Sequence, residues 1–317
     1  MVAVCLGVAL ELGGFAFTPS AWADDGQTQA DQAAATIATA SPAQVVAPMP
    51  TGDSALATVG DTQVSLPATS DGAVTIATTD PSLSSVATPV SISLAKETGG
   101  KHAKQAKDGT TVYPGGSGSP ADVAVQVLSD GSIRLSTVLA SKTSPTRFTY
   151  TIGGATPELQ ADGSVKLVQT TDTGGVRIQT TVGTIAPAWA KDAKGQPVAT
   201  HYEVKGNGQL VQVVSPDKNA AYPVVADPQI LYRWYGIVVQ FNRSQTNNIA
   251  FGATLAGIMG ATLSKSIFGV VLALTGGIYA ATAGWAYNSG GCLQITVTGI
   301  PPMATTVPWR YFGGYCR

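Results

Sequence analysis

Charge is scarce in this chain, and carboxylate runs out before its end. Charged side chains make up 12% of 317 residues, about half the usual share. After Asp227 there is no Asp or Glu, which excludes general acid–base work by carboxylates within residues 229–317. That segment carries five bases, Arg233, Arg243, Lys265, Arg310 and Arg317. They are too few and too scattered for a phosphate stripe, so nucleic acid is not an expected partner. Residues 24–120 hold nine acids and four bases, and residues 121–228 hold nine of each. The net charge of −1 therefore hides an acidic start and a cationic end.

Histidine is nearly missing too. His102 and His201 are the two present, and neither is near a cysteine in sequence, which argues against a zinc site. His201 lies two residues from Glu203, so a strand would place both on one side. An exposed strand produces such a pair readily, and a structural role is expected for it. There is no dinucleotide glycine fingerprint, phosphate loop or paired-cysteine metal motif. Ser117 lacks the following glycine of a nucleophile elbow. The expectation is a non-enzymatic protein with no catalytic residue, no metal and no cofactor.

No Lys or Arg precedes Lys96. Residues 1–17 are mostly apolar, interrupted by Glu11, and Ala21-Trp22-Ala23 offers small residues around a cleavage point. This reads as a secretion signal over 1–23 without its positive n-region. Its removal takes Cys5 away and leaves Cys292 and Cys316. An even count in an exported chain predicts a disulfide between them.

Residues 24–60 are rich in Ala, Thr, Ser, Gln and Pro with no sustained apolar period, and a disordered spacer is expected there. From Thr62 to Pro228 the pattern alternates, as in half-buried antiparallel strands. Asp71-Gly72, Asp130-Gly131 and Asp162-Gly163 each precede an alternating run, with Asp108-Gly109 a weaker fourth. Such pairs suit tight hairpins, and Gly206-Asn207-Gly208 predicts one more, between 201–205 and 209–214. Polar residues 97–107 and the Pro-Gly-Gly-Ser-Gly-Ser-Pro run at 114–120 predict a flexible joint near 97–120.

The β region closes on Pro187-Ala188-Trp189, Thr200-His201-Tyr202-Glu203-Val204 and Tyr222-Pro223-Val224-Val225-Ala226-Asp227-Pro228. Over roughly residues 60–317 the chain resembles a group of exported actinobacterial proteins. In these a β-rich segment ending in Tyr-Pro-Val-x-Ala-Asp-Pro precedes a variable C-terminal module. The resemblance implies export and a modular layout, with a boundary at Asp227-Pro228, and brings no catalytic residues. Ala188, between Pro187 and Trp189, departs from the pattern.

Residues 229–317 read as a second part. Asn242 with Gln245 fits a capping box, with Ser244 a rival cap. Two apolar segments follow, 249–263 and 267–287, joined by Ser264-Lys265-Ser266. The second is long enough for a bilayer span. Ala253, Gly257 and Ala261 repeat every fourth residue, as do Gly269, Ala273, Gly277 and Ala281. That spacing gives a smooth stripe for close helix packing. Seven glycines between Ile249 and Gly284 each cost a helix in water about 1 kcal/mol, so the helices need company. A strand is expected over Leu293, Ile295 and Val297, and Trp309, Tyr311, Phe312 and Tyr315 make the tail aromatic.

The fold expected is α+β: an antiparallel β scaffold over 61–228, then a cationic module with a Gly-rich helical hairpin and short strands. The function expected is that of a secreted protein whose module associates with membrane lipid or another protein. Its sharp form is bacteriocin-like membrane perturbation, with Lys265, Trp285 and Tyr287 at the membrane interface. Self-association through the helix pair is a further expectation. The rival is a cell-surface adhesion protein anchored by one span at 267–287.

Overall fold

The computed structural model describes residues 25–80, 87–94, 102–115, 121–173, 176–255, 258, 276–299 and 304–317. The signal-like segment, the Ser264-Lys265-Ser266 turn and small residues Gly257, Ala261, Gly269 and Ala273 lie outside the described residues.

Within them the chain is mostly β, with antiparallel sheets and three helices. Helix α1 (Asp25–Ala40) comes first. A meander follows: β1 (Met49–Thr51), β2 (Ser54–Val59), β3 (Thr62–Pro67), β4 (Ala73–Thr78) and β5 (Val90–Ser93). Strands β6 (Lys104–Gln105), β7 (Thr111–Tyr113), β8 (Ala121–Val127) and β9 (Ser132–Leu139) start a second sheet. The chain crosses back through β10 (Arg147–Gly153), then adds β11 (Thr156–Leu159), β12 (Val165–Thr173) and β13 (Val176–Ile185). Next come β14 (Trp189–Lys191), β15 (Ala199–Lys205), β16 (Gln209–Ser215), β17 (Val224–Asp227) and β18 (Gln229–Gln240). Helices α2 (Arg243–Ala250) and α3 (Gly276–Asn288) precede β19 (Cys292–Thr298) and β20 (Thr305–Tyr311).

One sheet runs β1-β2-β3-β4-β5-β10-β16-β15; the other runs β11-β12-β13-β18-β9-β8-β7-β6, with β14, β17, β19 and β20 attached. The alternation read from the sequence builds the core between them. Leu66, Ile76, Ile92, Phe148 and Tyr150 from the first sheet meet Val125, Leu135, Val165 and Ile185 from the second.

The Asp-Gly pairs sit at hairpins, three of them with one geometry. Leu128 N–H bonds to Ser132 O and Gly131 N–H to Leu128 O, with Gly131 at φ 82°. Residues 160–164 and 106–110 repeat these bonds, with Gly163 at 84° and Gly109 at 90°. This is the three-residue hairpin in which a left-handed glycine forms the bulge. Each Asp also accepts from the N–H and hydroxyl two residues on, as Asp130 does from Ser132 at 2.9 and 2.6 Å. Asn207 (φ 60°) and Gly208 (φ 70°) turn β15 into β16 as the sequence suggests.

Three expectations need correction. The disordered spacer over 24–60 is instead α1, β1 and β2. Ala30, Ala33, Ala34 and Ile37 are buried, a helical stripe written mostly in alanine; Ala30, Ala33 and Ile37 pack on Val112, Ala124, Val138 and Val225. Within the expected joint, Val112 and Tyr113 are fully buried, and Tyr113 Oη donates to Pro67 O at 2.7 Å; residues 95–101 and 116–120 lie outside the described residues. Asp227-Pro228 separates two strands of one sheet: β18 pairs with β9 and β13 as well as with β19. The proline lacks an N–H for the ladder, so the strand breaks there without the sheet ending.

Helix α2 opens on the capping box, with Asn242 Oδ1 accepting from Gln245 N–H and Gln245 Oε1 from Asn242 N–H, both at 2.9 Å. It stops at Ala250, short of the residue 263 expected. Gly252 at φ 96° closes it, its N–H bonding to Ile249 O and Ala253 N–H to Asn248 O, which is a Schellman ending. The same ending terminates α3, where Gly290 N–H bonds to Tyr287 O and Gly291 N–H to Ala286 O.

Candidate functional site: an aromatic and cationic rim

Alternation along β20 leaves Val307 and Trp309 57% and 59% exposed. Among the described residues β20 pairs with β19 alone, so it is a sheet edge. Just beyond it Phe312 is 59% exposed, and on α3 Trp285 is 43% exposed. Trp285 and Trp309 meet edge to face, ring centres 5.6 Å apart. The Arg310 guanidinium lies 4.2 Å from the Trp285 ring centre and 5.4 Å from that of Phe312. Such contacts hold a cation and orient the rings without neutralising the charge.

What fixes the rim lies beneath it. The bridge between Cys292 and Cys316, with Cα atoms 5.5 Å apart, ties the tail to the start of β19. Tyr279, Ala283 and Leu293 share a core with Ile178, Ile237, Val239 and Ile295. Thr246 Oγ1 accepts from Leu293 N–H at 3.0 Å, fastening α2 to β19. Arg243 donates through Nη1 to Tyr287 O at 3.1 Å and Gly291 O at 2.8 Å, closing the carbonyl end of α3 with a cation. Its guanidinium also stacks 4.1 Å from the Tyr287 ring centre. Tyr311 Oη donates to Phe241 O at 2.9 Å; burial first, then Tyr315, pushes its hydroxyl up to about 12, with Arg177 pulling the other way.

The residues named from the sequence divide. Cys292 and Cys316 are bonded as expected. Trp285 is exposed beside other aromatics, whereas Tyr287 is half-buried under Arg243; Lys265 lies outside the described residues. Of the small-residue stripe, Ala253 is exposed and outside any helix, Ala281 is exposed, and Gly277 lies in the first turn of α3. The packed face of α3 is Tyr279, Ala283 and Ala286 instead, and Gly284 faces the Ala250 side chain of α2. Ala253 and Ala281 therefore do not pack as the four-residue spacing expects, because Tyr279 and Ala283 take the buried face. His201 and Glu203 lie on one side of β15 at 3.7 Å, and Glu203 is also held by Arg147 at 2.6 Å. Val307 was not named from the sequence, and Arg310 and Phe312 were named only among the bases and the tail aromatics; the alternation of Val307, Trp309 and Tyr311 beside a cysteine was the available signal.

Among the described residues no group of His, Cys, Asp and Glu is placed to hold a metal ion, and no helix is long and apolar enough to cross a membrane. No family model matches the chain, and neither curated proteins nor solved structures give a match.

Proposed function

We propose that this is an exported, non-enzymatic protein whose C-terminal part associates with anionic membrane surfaces, with bacteriocin-like perturbation as its strongest form. One observation carries the reading: Trp285, Trp309 and Phe312 stand exposed around Arg310 in a segment with five bases and no carboxylate. Tryptophan favours the headgroup level of a bilayer. Each base near an anionic surface adds about 1 kcal/mol. In this reading α2 and the glycine-notched α3, which meet at Ala250 and Gly284, act as the helical hairpin, which also offers a route to self-association. Export draws on the signal-like 1–23, on the bridge and on the resemblance to exported actinobacterial proteins. A single-span anchor at 267–287 is disfavoured, because Tyr279, Ala283 and Ala286 are buried and so withheld from lipid.

Co-sedimentation of the full chain with phosphatidylglycerol and phosphatidylcholine vesicles tests this. Binding is expected to the anionic vesicles, weakening as salt rises. The double variant Trp309→Ala, Phe312→Ala should weaken it at least about tenfold. No sedimentation with anionic vesicles at micromolar protein sinks the reading, and dye release separates perturbation from docking.

A further inference from the structure

We propose that the open side of β13, β18, β19 and β20 is a platform for a neutral polysaccharide chain, independently of the membrane reading. Register sets Arg177, Gln240, Gln294 and Trp309 abreast, one from each strand. The next row is Gln179, Val238, Thr296 and Val307, extended by Thr170 on β12. The residues between these rows, Ile178, Val239 and Ile295, are buried in the core that α2 and α3 cover. The two rows therefore emerge on the opposite side, and their members are half-buried or exposed.

The chemistry of those rows is specific. The amides of Gln179, Gln240 and Gln294 make no hydrogen bond to another described residue. The charge at one margin is already closed: Arg177 bonds to Asp172 at 3.0 Å and lies 4.6 Å from the Tyr315 ring centre. Trp309 stands at the other margin, on the sheet edge. What remains is a flat, uncharged surface of amides, threonine hydroxyls and two valines between aromatic margins. A phosphate polymer needs a line of unpaired cations; the two rows carry Arg177 alone, already paired with Asp172, with Arg317 beside it at the margin. A peptide adding as a strand would take the free backbone edge of β20 and leave this face uncovered, because β13, β18 and β19 are each paired on both sides. A saccharide meets both demands of the face. Its hydroxyls donate and accept, as an amide does, and its C–H surfaces rest on Val238, Val307 and an indole ring. Strands spaced about 4.8 Å apart give the four-strand row a length of roughly 14 Å, room for several sugar units.

Affinity electrophoresis of the full chain through soluble xylan, glucomannan and dextran, with pull-down on cellulose and chitin, tests the proposal. At least one of these glycans should retain the chain, and retention should survive high salt. The double variant Gln240→Ala, Gln294→Ala should weaken it roughly tenfold or more with an unchanged melting temperature and unchanged vesicle binding. Retention by none of the five, or undiminished retention of a variant with Gln179, Gln240 and Gln294 all replaced by Ala, overturns it.

Discussion

Helices α1 and α3 both lie against the larger sheet, and they are written in opposite styles. Helix α1 is polar, and Ile37 is its largest apolar side chain. Helix α3 is apolar nearly all round and carries Gly276, Gly277 and Gly284. Their solutions are nonetheless alike. Each buries one narrow stripe, Ala30, Ala33, Ala34 and Ile37 in one and Tyr279, Ala283 and Ala286 in the other. Neither has a base in its own last turn, and both are closed by bases from elsewhere in the chain. Lys191 Nζ donates to Ala40 O at 2.8 Å and Arg134 Nη1 to Ser41 O at 2.9 Å, while Arg243 closes α3. Small residues let a helix approach a sheet closely, and distant cations answer its carbonyl end. What separates the two is what lies outward: Gln27, Gln29 and Asp31 of α1 bond to Gln105, Asp122 and Lys107, whereas α3 shows Trp285 to solvent.

The largest way to break this parallel is to cut the one covalent tie that the two regions do not share. Replacing Cys316 with Ser opens a 24-residue span and should cost about 3–4 kcal/mol in the chain-entropy model. Hydrogen exchange should rise in β19, β20 and α3 while α1 stays protected. Equal loosening of α1 would mean the C-terminal part is not a distinct cooperative unit. Next, Ile37→Ala removes a fully buried side chain and should cost about 3 kcal/mol, read by denaturant unfolding, with protease cleavage appearing within 25–40. If residues 25–40 were a spacer, neither would change.

This bears on what the sequence made legible. Strand positions and turns were readable because alternation and the Asp-Gly-Ser/Thr geometry are local. The capping box at Asn242 and the bridge were readable for the same reason: few residues, clear chemistry. Helix α1 was missed because alanine at 30, 33 and 34 does not register as an apolar period, and its anchors Arg134 and Lys191 are about a hundred residues or more away in sequence. The boundary at Asp227-Pro228 was misplaced because strand pairing across it is non-local; β18 pairs with β13 along one edge and with β9 and β19 along the other. The rim was half visible: Trp285 stood out in an apolar run, but its neighbour Trp309 depended on how β20 pairs.

A smaller effect sharpens the parallel between the borrowed cations. Arg243→Ala leaves the Tyr287 and Gly291 carbonyls without their charged donor and should cost about 2 kcal/mol. Lys191→Ala removes one such bond from α1, leaves the Arg134 contact to Ser41, and should cost about half as much. Thermal unfolding of both variants checks the order, and a reversal would mean that Arg243 matters for its ring contact alone.

The gentlest test sets scaffold against C-terminal part through pH. The scaffold's turns depend on carboxylates. Bonds from Ser132 and Ser164 hold Asp130 and Asp162 below the usual range, and the N–H groups of Ala221, Gln196 and Lys194 do the same for Asp192. A carboxylate with a lowered folded value contributes stability above its unfolded value, near 4, and loses it as pH falls through the folded one. Residues 229–317 have no carboxylate side chain, so this loss should begin in the scaffold's hairpins. Tyr311 acts in the other direction. Its hydroxyl is raised to about 12, so its contribution is whole below the ordinary tyrosine value near 10 and is lost as pH rises from there through about 12. Hydrogen exchange corrected for intrinsic rates should show β19 and β20 loosening across that alkaline window, and Tyr311→Phe should remove the local dependence at the cost of the bond to Phe241 O. Burial also raises Tyr113 and Tyr232, so the whole chain weakens in alkali, and only the difference between Tyr311 and Phe at that position isolates the tail. An alkaline response of β20 that Tyr311→Phe leaves intact would assign the effect to the buried scaffold tyrosines and make the two parts one unit.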